Sequence, residues 1–367
     1  MIDLPAAARL HLRPVQFADT PVGQGGQVAR LAGGLGWFAA YELIAVRDGR
    51  RVLQQIVPVA DLPNDERLDA LAARISAPRA PLKLGERVVR LDQPQVMAIL
   101  NVTPDSFSDG GRHVDNPAAA AQVGVDMSVA GAAIIDVGGE STRPGAAAVW
   151  EGDEIERTVP VIERLARSGA AVSIDTRKAG VMEAALAAGA HLINDVSALL
   201  YDERSLDVAA ASDCPVVLMH SPDPAKTGHA GGDYDDVLLE VYDWLERRVD
   251  DVVARGIARE RVLIDPGIGF GKSLADNLAL LNGLALFHGI GCAIVLGASR
   301  KRMIGALSNE APAEARLGGS LAVALKGAEL GAQLIRVHDV FETAQALRVW
   351  RGMRDAALVA RHPVGSD

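Results

Sequence analysis

The chain has 367 residues, 49% of them hydrophobic, and a formal net charge of −10 at pH 7. This length and composition predict a folded globular protein and exclude fibrous and broadly disordered classes. The acidic balance and scattered basic residues argue against nucleic acid or an anionic membrane surface as a partner, because both require a clustered basic face. No signal-type segment opens the chain and no apolar run approaches the roughly 18 residues of a membrane span, so we expect a cytoplasmic protein. Cys214 and Cys292 lie far apart in apolar runs, which favours buried, reduced thiols over a disulfide.

Residues 1–80 predict a small N-terminal α+β extension. The runs GWFAAYELIAV and RVLQQIVPV lie on either side of an Asp-Gly pair, which is typical of a β-hairpin. A helix rich in alanine and leucine is predicted from about Asn64 to Ile75, and the proline-rich junction SAPRAPLKLG follows it. The sequence leaves three roles open for this extension: an accessory domain, an oligomer contact or a regulatory element.

Short apolar runs rich in β-branched residues recur along the rest of the chain. In order they are QVMAILNV, AAIIDVGG, AAVSIDT, HLINDVS, PVVLMH, RVLIDPG, CAIVLGAS and AQLIRVHD. Between them lie segments with helical periodicity, several of which end in glycine. Eight strands alternating with helices predict a (β/α)8 TIM barrel over residues 81–355, with a C-terminal tail at 356–367. A doubly wound open sheet is the alternative, but the G-x-G-x-x-G turn of its dinucleotide-binding form is missing.

Polar residues lie at the end of every one of these runs. They are Asn101 and Asp105, Thr142 and Arg143, Asp175, Asn194 and Asp195, His220, Asp265, Ser299 with Arg300 and Lys301, and Arg336 with His338 and Asp339. Active sites of TIM barrels lie at the C-terminal ends of the strands. The general polarity of loops explains one or two such residues, but it does not explain eight of eight.

Ordered motifs around these residues resemble the dihydropteroate synthase family. The motifs are NVTPDSFSDGG, DVGGESTRPGA, SIDT, NDVS, LMH, DPGIGFGK, GASRK and RVHD. The resemblance covers about residues 82–352, and LKLGERVVRLDQPQVM is similar to the hairpin that precedes the first strand in that family. It implies a transferase that joins 6-hydroxymethyl-7,8-dihydropterin diphosphate to 4-aminobenzoate, with release of diphosphate, in folate synthesis. The family consists of sulfonamide targets, and a homodimer is a further expectation from it.

The resemblance also implies the pterin pocket. A dihydropterin presents a row of N–H donors and a carbonyl acceptor, so its pocket requires carboxylates on one edge and a donor on the other. The implied contacts are Asp175, Asn194, Met219, Asp265 and Lys301. All of them except Met219 are also expected to be catalytic, since preorganised negative charge stabilises the cationic character that departing diphosphate leaves on the pterin. Helix capping is the alternative role of the two aspartates.

The implied diphosphate contacts are Asn101, Arg336 and His338. Arg336 and His338 alternate along the last run, so both point to one side of it. Asn101 is also the implied metal contact, and a neutral oxygen suits Mg²⁺, which keeps several waters and binds substrate phosphates. The histidines are dispersed and show no spacing typical of a zinc site. A hydrogen-bonded core histidine is the alternative for His338.

Two polar loops are expected to close over the pterin and to build the aminobenzoate site. The family pattern assigns Phe107, Asp109, Thr142, Arg143 and Pro144 to these loops, with Phe270 and Ser299 below them. An ordinary solvated loop is the alternative. His220 is left open between a site residue and a structural one. The segment SPDPAKTGHAGGDYDD after it departs from the family pattern, so the rim above the fifth strand is expected to differ.

Three other functions compete with the synthase. A methyltetrahydrofolate-dependent methyltransferase shares the pterin-binding barrel, but STRPG, SRK and the Arg/His pair of the last strand count against it. A non-catalytic pterin-binding paralogue is expected to have lost the diphosphate contacts, which are all present here. A phosphate-binding barrel such as an aldolase is disfavoured. No lysine other than Lys301 lies at the end of an apolar run, and Lys301 follows Ser-Arg as in the synthase pattern.

Overall fold

The computed structural model describes residues 2, 4, 5, 7–103, 116–140, 148–223 and 231–358. Strands β1 (Arg9–Ala18), β2 (Ala29–Arg30), β3 (Trp37–Arg47) and β4 (Arg50–Pro58) form an antiparallel sheet in which β3 pairs with the other three. Helix α1 (Glu66–Ser76) packs on this sheet. Residues 7–76 are called the N-terminal unit below.

The predicted hairpin is present between β3 and β4. Asp48 and Gly49 have φ values of +51° and +72°, the left-handed conformation that a type I′ turn requires. Helix α1 begins after Asp65, whose side chain accepts a hydrogen bond from Arg67 N. Sequence patterns did not predict β1, which contains Pro14; a proline is tolerated there because β1 lies at the edge of the sheet.

A second hairpin closes the amino end of the barrel. It consists of β5 (Leu82–Leu84) and β6 (Arg87–Val89). Its buried residues Leu82, Leu84 and Val89 cluster with interior residues of the barrel strands, among them Met97 and Leu263. The burial of these side chains stabilises the closed end of the barrel.

Eight parallel strands form a closed barrel, which confirms the predicted fold and excludes the open sheet. They are β7 (Gln95–Asn101), β8 (Ala132–Gly138), β9 (Val172–Asp175), β10 (Leu192–Asp195), β11 (Val216–Met219), β12 (Val262–Asp265), β13 (Ala293–Leu296) and β14 (Leu334–Val337). The helices are α2 (Pro117–Ala130), α3 (Glu151–Arg167), α4 (Ala179–Ala187), α5 (Ser205–Ala211), α6 (Val237–Ala254), α7 (Leu274–Asn282), α8 (Arg302–Leu307), α9 (Leu317–Glu329) and α10 (Val340–Leu358).

Helix α10 ends at Leu358 and so includes the first three residues of the predicted C-terminal tail. The segment Asp-Ala-Ala-Leu continues the helix because alanine and leucine favour it. Both thiols are free, as predicted, but Cys214 is only half-buried whereas Cys292 is buried. No helix in the described part of the chain is long and apolar enough to cross a membrane.

Alternate residues of each strand face the barrel interior. Leu334 belongs to the interior cluster, whereas Ile335 and Val337 pack outward against the helices. Because side chains alternate along a strand, Arg336 shares the interior side with Leu334, and His338 follows directly after the end of β14. The same alternation brings the last interior residue of each strand to the carboxyl end of the barrel.

Candidate active site

A buried ion cluster lies at the carboxyl end of the barrel. Arg336 donates from Nε to Asp136 Oδ2 at 2.6 Å and from Nη2 to Asp175 Oδ2 at 2.5 Å. Burial raises the pKa of Asp175, and the charge of Arg336 opposes that rise. Burial alone would lower the pKa of Arg336, but the two carboxylates outweigh it and hold the pKa above its ordinary value. The guanidinium therefore stays charged and fixes both aspartates.

Two asparagines extend this cluster. Asn194 Nδ2 donates to Asp136 Oδ2 at 2.9 Å. A methyl group placed on Gly138 would lie 3.5 Å from Asn101 Oδ1 and 3.7 Å from Asp175 Oδ2, so these two side chains approach each other over the glycine. Within the described residues, Asp136 Oδ1 is buried without a hydrogen-bond partner, so it remains available to accept from a bound molecule.

Asp265 and Lys301 form the opposite side of the site. Asp265 Oδ1 accepts a hydrogen bond from Gly267 N at 2.7 Å, and burial raises the pKa of this carboxyl. Lys301 Nζ donates to the carbonyl of Ile268 and lies 4.5 Å from the ring centroid of Phe270. Burial lowers the pKa of Lys301 to about 8, and the charge of Asp265 opposes that fall.

The alternative role of helix capping is wrong for both aspartates. The N-cap of α4 is Lys178 and that of α7 is Ser273. Gly267 follows Asp265 with φ +70°, and a side chain on it would overlap the carbonyl oxygen of His220. This position requires glycine because backbone and site residues approach each other closely here.

Ser299 and His338 connect the last two strands. Ser299 Oγ lies 3.1 Å from His338 Nδ1 and accepts from His338 N at 3.2 Å. The next residue along, Arg300, pairs with Asp339 through Nε and Oδ2 at 3.0 Å. Ser299 thus holds His338 just after the end of β14, and both of the described contacts of His338 are polar.

His220 contacts Lys272, a residue that sequence reasoning missed. Lys272 Nζ lies 3.0 Å from His220 Nδ1 and donates to the carbonyls of Gly267 and Phe270 at 2.9 and 3.1 Å. Burial lowers the pKa of His220 to about 3 and that of Lys272 to about 7. The neutral imidazole accepts from the lysine, so His220 joins the end of β11 to the loop after β12. Its ring lies edge-on to Trp244 at 4.9 Å.

The structure brings most of the predicted site residues together. Met219 pairs in register with Asp265 and is buried beside it. The predicted loop residues Phe107, Asp109, Thr142, Arg143 and Pro144 lie outside the described residues. Asp136 was missed because it lies inside its strand, two residues before Gly138. A carboxylate in a run of apolar, β-branched residues was the signal that could have found it.

Comparison with known proteins gives one consistent result. A sequence model described as pterin binding enzyme matches residues 97–338. The dihydropteroate synthase of Escherichia coli K12 is 48% identical over 260 residues, which cover 71% of this chain and 91% of that enzyme. The dihydropteroate synthase of Xanthomonas albilineans with 4-aminobenzoic acid is 47% identical with a TM-score of 0.71, over 75% of this chain and 98% of that one.

The dihydropteroate synthase of Yersinia pestis, solved with a sulfonamide drug, is 45% identical with a TM-score of 0.70, over 75% of this chain and 99% of that one. These similarities and the polar cluster lie in the same part of the chain, because the matched region contains all of the barrel strands except the first two residues of β7. The chain therefore belongs to the dihydropteroate synthase family of pterin-binding enzymes.

Proposed function

We propose that this protein is a dihydropteroate synthase, a transferase that joins 6-hydroxymethyl-7,8-dihydropterin diphosphate to 4-aminobenzoate in folate biosynthesis. One observation carries the proposal: Asp136, Asp175 and Asp265 converge with Arg336 and Lys301 at the carboxyl end of a barrel that is matched along its length to this family. Such a cluster of fixed charges suits a substrate with many hydrogen-bond donors and a charged leaving group.

The buried acceptors suit the donor edge of the pterin. Asp265 and the unpartnered oxygen of Asp136 can accept from ring N–H groups, and Asn194 can both accept and donate. Lys301 supplies a donor for ring acceptors. Met219 lies beside Asp265 and contributes apolar contact with the flat ring. Recognition thus uses both edges of the pterin.

The reaction requires charge stabilisation more than proton transfer. The bond between the pterin methylene carbon and diphosphate breaks, and the electron pair leaves with the diphosphate. Carboxylates of the site stabilise the cationic character that remains on the pterin. The amine of 4-aminobenzoate then attacks the methylene carbon, and the new C–N bond releases a proton to solvent. An arylamine is already a nucleophile at neutral pH, so binding in the correct orientation replaces a general base.

Arg336, His338 and Asn101 are the proposed contacts of diphosphate. The Nε and Nη2 atoms of Arg336 are engaged by aspartates, so Nη1 is the nitrogen we assign to a phosphate oxygen. Mg²⁺ belongs to the proposal as well. Asn101 offers a neutral amide oxygen near Asp175, and the described residues contain no cluster of three acidic, histidine or cysteine ligands. This donor set suits a hydrated ion held mainly by substrate oxygens, which would neutralise charge on the leaving group.

Phe270 and Ser299 are the proposed floor of the aminobenzoate site. Phe270 offers an aromatic face, and Ser299 offers a hydroxyl for the carboxylate of the substrate. Phe107, Asp109, Thr142, Arg143 and Pro144 complete this site in the proposal. Because the Yersinia pestis relative was solved with a sulfonamide drug, we extend the same site to sulfonamides.

The proposal includes a cytoplasmic homodimer built on the barrel, with residues 1–80 as an added unit. Phe341, Val349 and Met353 of α10 are 58%, 60% and 63% exposed, and apolar side chains this exposed suit a contact between subunits. Replacing all three by serine should convert a dimer to a monomer in analytical ultracentrifugation, whereas replacing the exposed Val129 of α2 should not.

Release of diphosphate from 6-hydroxymethyl-7,8-dihydropterin diphosphate tests the function. We expect release to depend on both 4-aminobenzoate and Mg²⁺, and Asp265→Asn to reduce it about 100-fold or more, as when an electrostatic contact to a transition state is lost. Asn101→Ala should raise the Mg²⁺ concentration needed for half-maximal rate. Pterin binding without diphosphate release would instead indicate a non-catalytic paralogue.

A further inference from the structure

The N-terminal unit is the part of the protein that the family match does not explain. The matched region begins at residue 97, and 71% of this chain accounts for 91% of the Escherichia coli enzyme. The unit is nevertheless closely joined to the barrel. Ile44 of β3 is fully buried in the cluster between strands and helices, and β1 and α1 pack on the segment Leu284–Ile290.

An acidic face of α6 holds the unit. Arg9 Nε lies 2.9 Å from Asp243 Oδ1, and Arg9 and Arg74 both pair with Glu246 at 2.5 and 3.2 Å. Between them the ring of Tyr242 packs edge-on against His11 at 5.1 Å. These contacts lie in the middle of α6. A different part of the N-terminal unit contacts the first residues of this helix.

The β3–β4 hairpin reaches the start of α6. Arg51 Nε donates to Asp236 Oδ2 at 2.7 Å, while Asp236 Oδ1 caps the helix by accepting from Leu239 N at 3.3 Å. Helix α6 follows strand β11, so its first residues lie at the carboxyl end of the barrel. The hairpin therefore contacts the rim of the candidate active site through a partly exposed ion pair.

Residues 231–236, called the lip below, connect that ion pair to the site. Gly232 N donates to the carbonyl of Gly271 at 2.8 Å, in the loop after β12. The ring of Tyr234 lies 6.1 Å from that of His220, which contacts Lys272. The carbonyls that Lys272 holds are those of Gly267 and Phe270. A continuous series of contacts thus runs from Arg51 to Phe270.

We infer that the N-terminal unit positions the aminobenzoate side of the active site, with Arg51 as a positioning residue that acts through Asp236 and the lip. The inference rests on the proposed function where it assigns Phe270 to aminobenzoate. It joins the two features in which this chain departs from the family pattern, the N-terminal extension and the segment after His220. In this inference the extension supports a segment whose sequence departs from the family pattern.

Charge reversal at Arg51 tests this inference in the full-length protein. Arg51→Glu places a carboxylate against Asp236, so amide hydrogen exchange should accelerate in peptides that contain residues 231–236 and 270–272. The KM for 4-aminobenzoate should rise about three- to tenfold, a change on the scale of one partly exposed ion pair and its reversal. The KM for the pterin diphosphate and kcat should stay within about twofold of wild type on the same scale.

Three variants serve as controls. Arg50→Glu reverses the neighbouring exposed charge, which points to the other side of the strand, and should behave as wild type. Arg51→Lys keeps the charge, so amide exchange in the lip and the KM for 4-aminobenzoate should both stay at their wild-type values. Asp236→Asn in the Arg51→Glu background removes the repulsion but keeps an oxygen to cap α6, so it should restore slow exchange in the lip.

Unchanged exchange in the lip of Arg51→Glu would overturn the inference, as would equal effects of Arg50→Glu and Arg51→Glu. An equal rise in both KM values would also overturn it, because a general loss of structure would affect both substrates. The proposed function fails separately, when the wild-type protein shows no turnover that depends on aminobenzoate. In that case the exchange measurements still decide whether Arg51 positions the lip.

Discussion

The interior side of the barrel strands is apolar at the amino end of the barrel and charged at the carboxyl end. At the amino end, Leu84 and its neighbours in the β5–β6 hairpin pack on Leu263 and other apolar residues. At the carboxyl end, two residues further along the same strands, the interior positions hold Asp265 after Leu263 and Arg336 after Leu334. The change from apolar to charged occurs within about 7 Å of strand, given about 3.3 Å per residue. Stability and reactivity are therefore separated along the barrel axis.

The largest expected effect comes from breaking the ion cluster at the carboxyl end. Arg336→Met leaves Asp136 and Asp175 buried without their shared cation, so kcat/KM should fall roughly 10²- to 10³-fold. Without the guanidinium, the pKa of Asp175, already raised by burial, should rise further. A carboxyl with a raised folded-state pKa stabilises the fold at low pH and loses that contribution as pH rises through the pKa.

The free energy of unfolding of Arg336→Met should therefore fall further below that of wild type at pH 8 than at pH 5, as urea unfolding would measure. Arg336→Lys is the matched control. It keeps one charge but cannot contact both aspartates in the same geometry, so it should recover stability more than turnover. Turnover of Arg336→Met equal to that of wild type would contradict the role of this cluster.

A change at the amino end should show the opposite pattern. Leu84 is 1% exposed, and Leu84→Ala should lower the free energy of unfolding by about 2–5 kcal/mol through lost burial and a residual cavity. At a temperature where the variant stays folded, kcat should be close to that of wild type. Val88→Ala, at a side chain that is 61% exposed in the same hairpin, should change stability by less than about 0.5 kcal/mol. A large loss of kcat in Leu84→Ala would show that the two ends are not separate.

The smallest expected effect is a pH dependence at the carboxyl end. Burial lowers the pKa of Lys301 to about 8. The charges of Asp265 and Asp175 oppose this fall, and the charge of Arg336 adds to it. Above that pH the side chain loses its proton, so kcat/KM should decline with a midpoint near pH 8 if the ammonium binds the pterin. Lys301→Arg should move this decline to higher pH because arginine stays charged. Lys272→Arg is the control. If the decline of kcat/KM shifts in Lys272→Arg and not in Lys301→Arg, the titrating group is Lys272 and the prediction for Lys301 is wrong.

The barrel could be predicted because each parallel strand is an apolar run buried on both sides. Strand β1 could not be predicted. Pro14 and the two arginines of this strand interrupt its apolar pattern, and the strand is defined by its pairing with β3. Its register also depends on pairing with residues about 30 positions away. Local patterns contain no information about such a partner.

The site was predicted where a polar residue ends its strand. Asp175 and Asp265 end their strands and Asn194 is the last residue but one of its strand, and the structure places all three at the carboxyl end of the barrel. Asp136 lies inside its strand and Lys272 lies in a loop, so neither follows the rule. The contact between Lys272 and His220 joins residues 52 positions apart and arises only when the loops after β11 and β12 meet.

Trp244 gives this protein an optical reporter of its own. Its ring lies edge-on to that of His220. This histidine directly follows strand β11 at the carboxyl end of the barrel, and its imidazole accepts a hydrogen bond from Lys272. Indole emission responds to the polarity and charge of its immediate neighbours. A ligand that displaces this lysine or the histidine alters the surroundings of Trp244. The chain has four tryptophans, so the fluorescence change that is lost in Trp244→Phe is the one that should follow such a titration of the unlabelled protein.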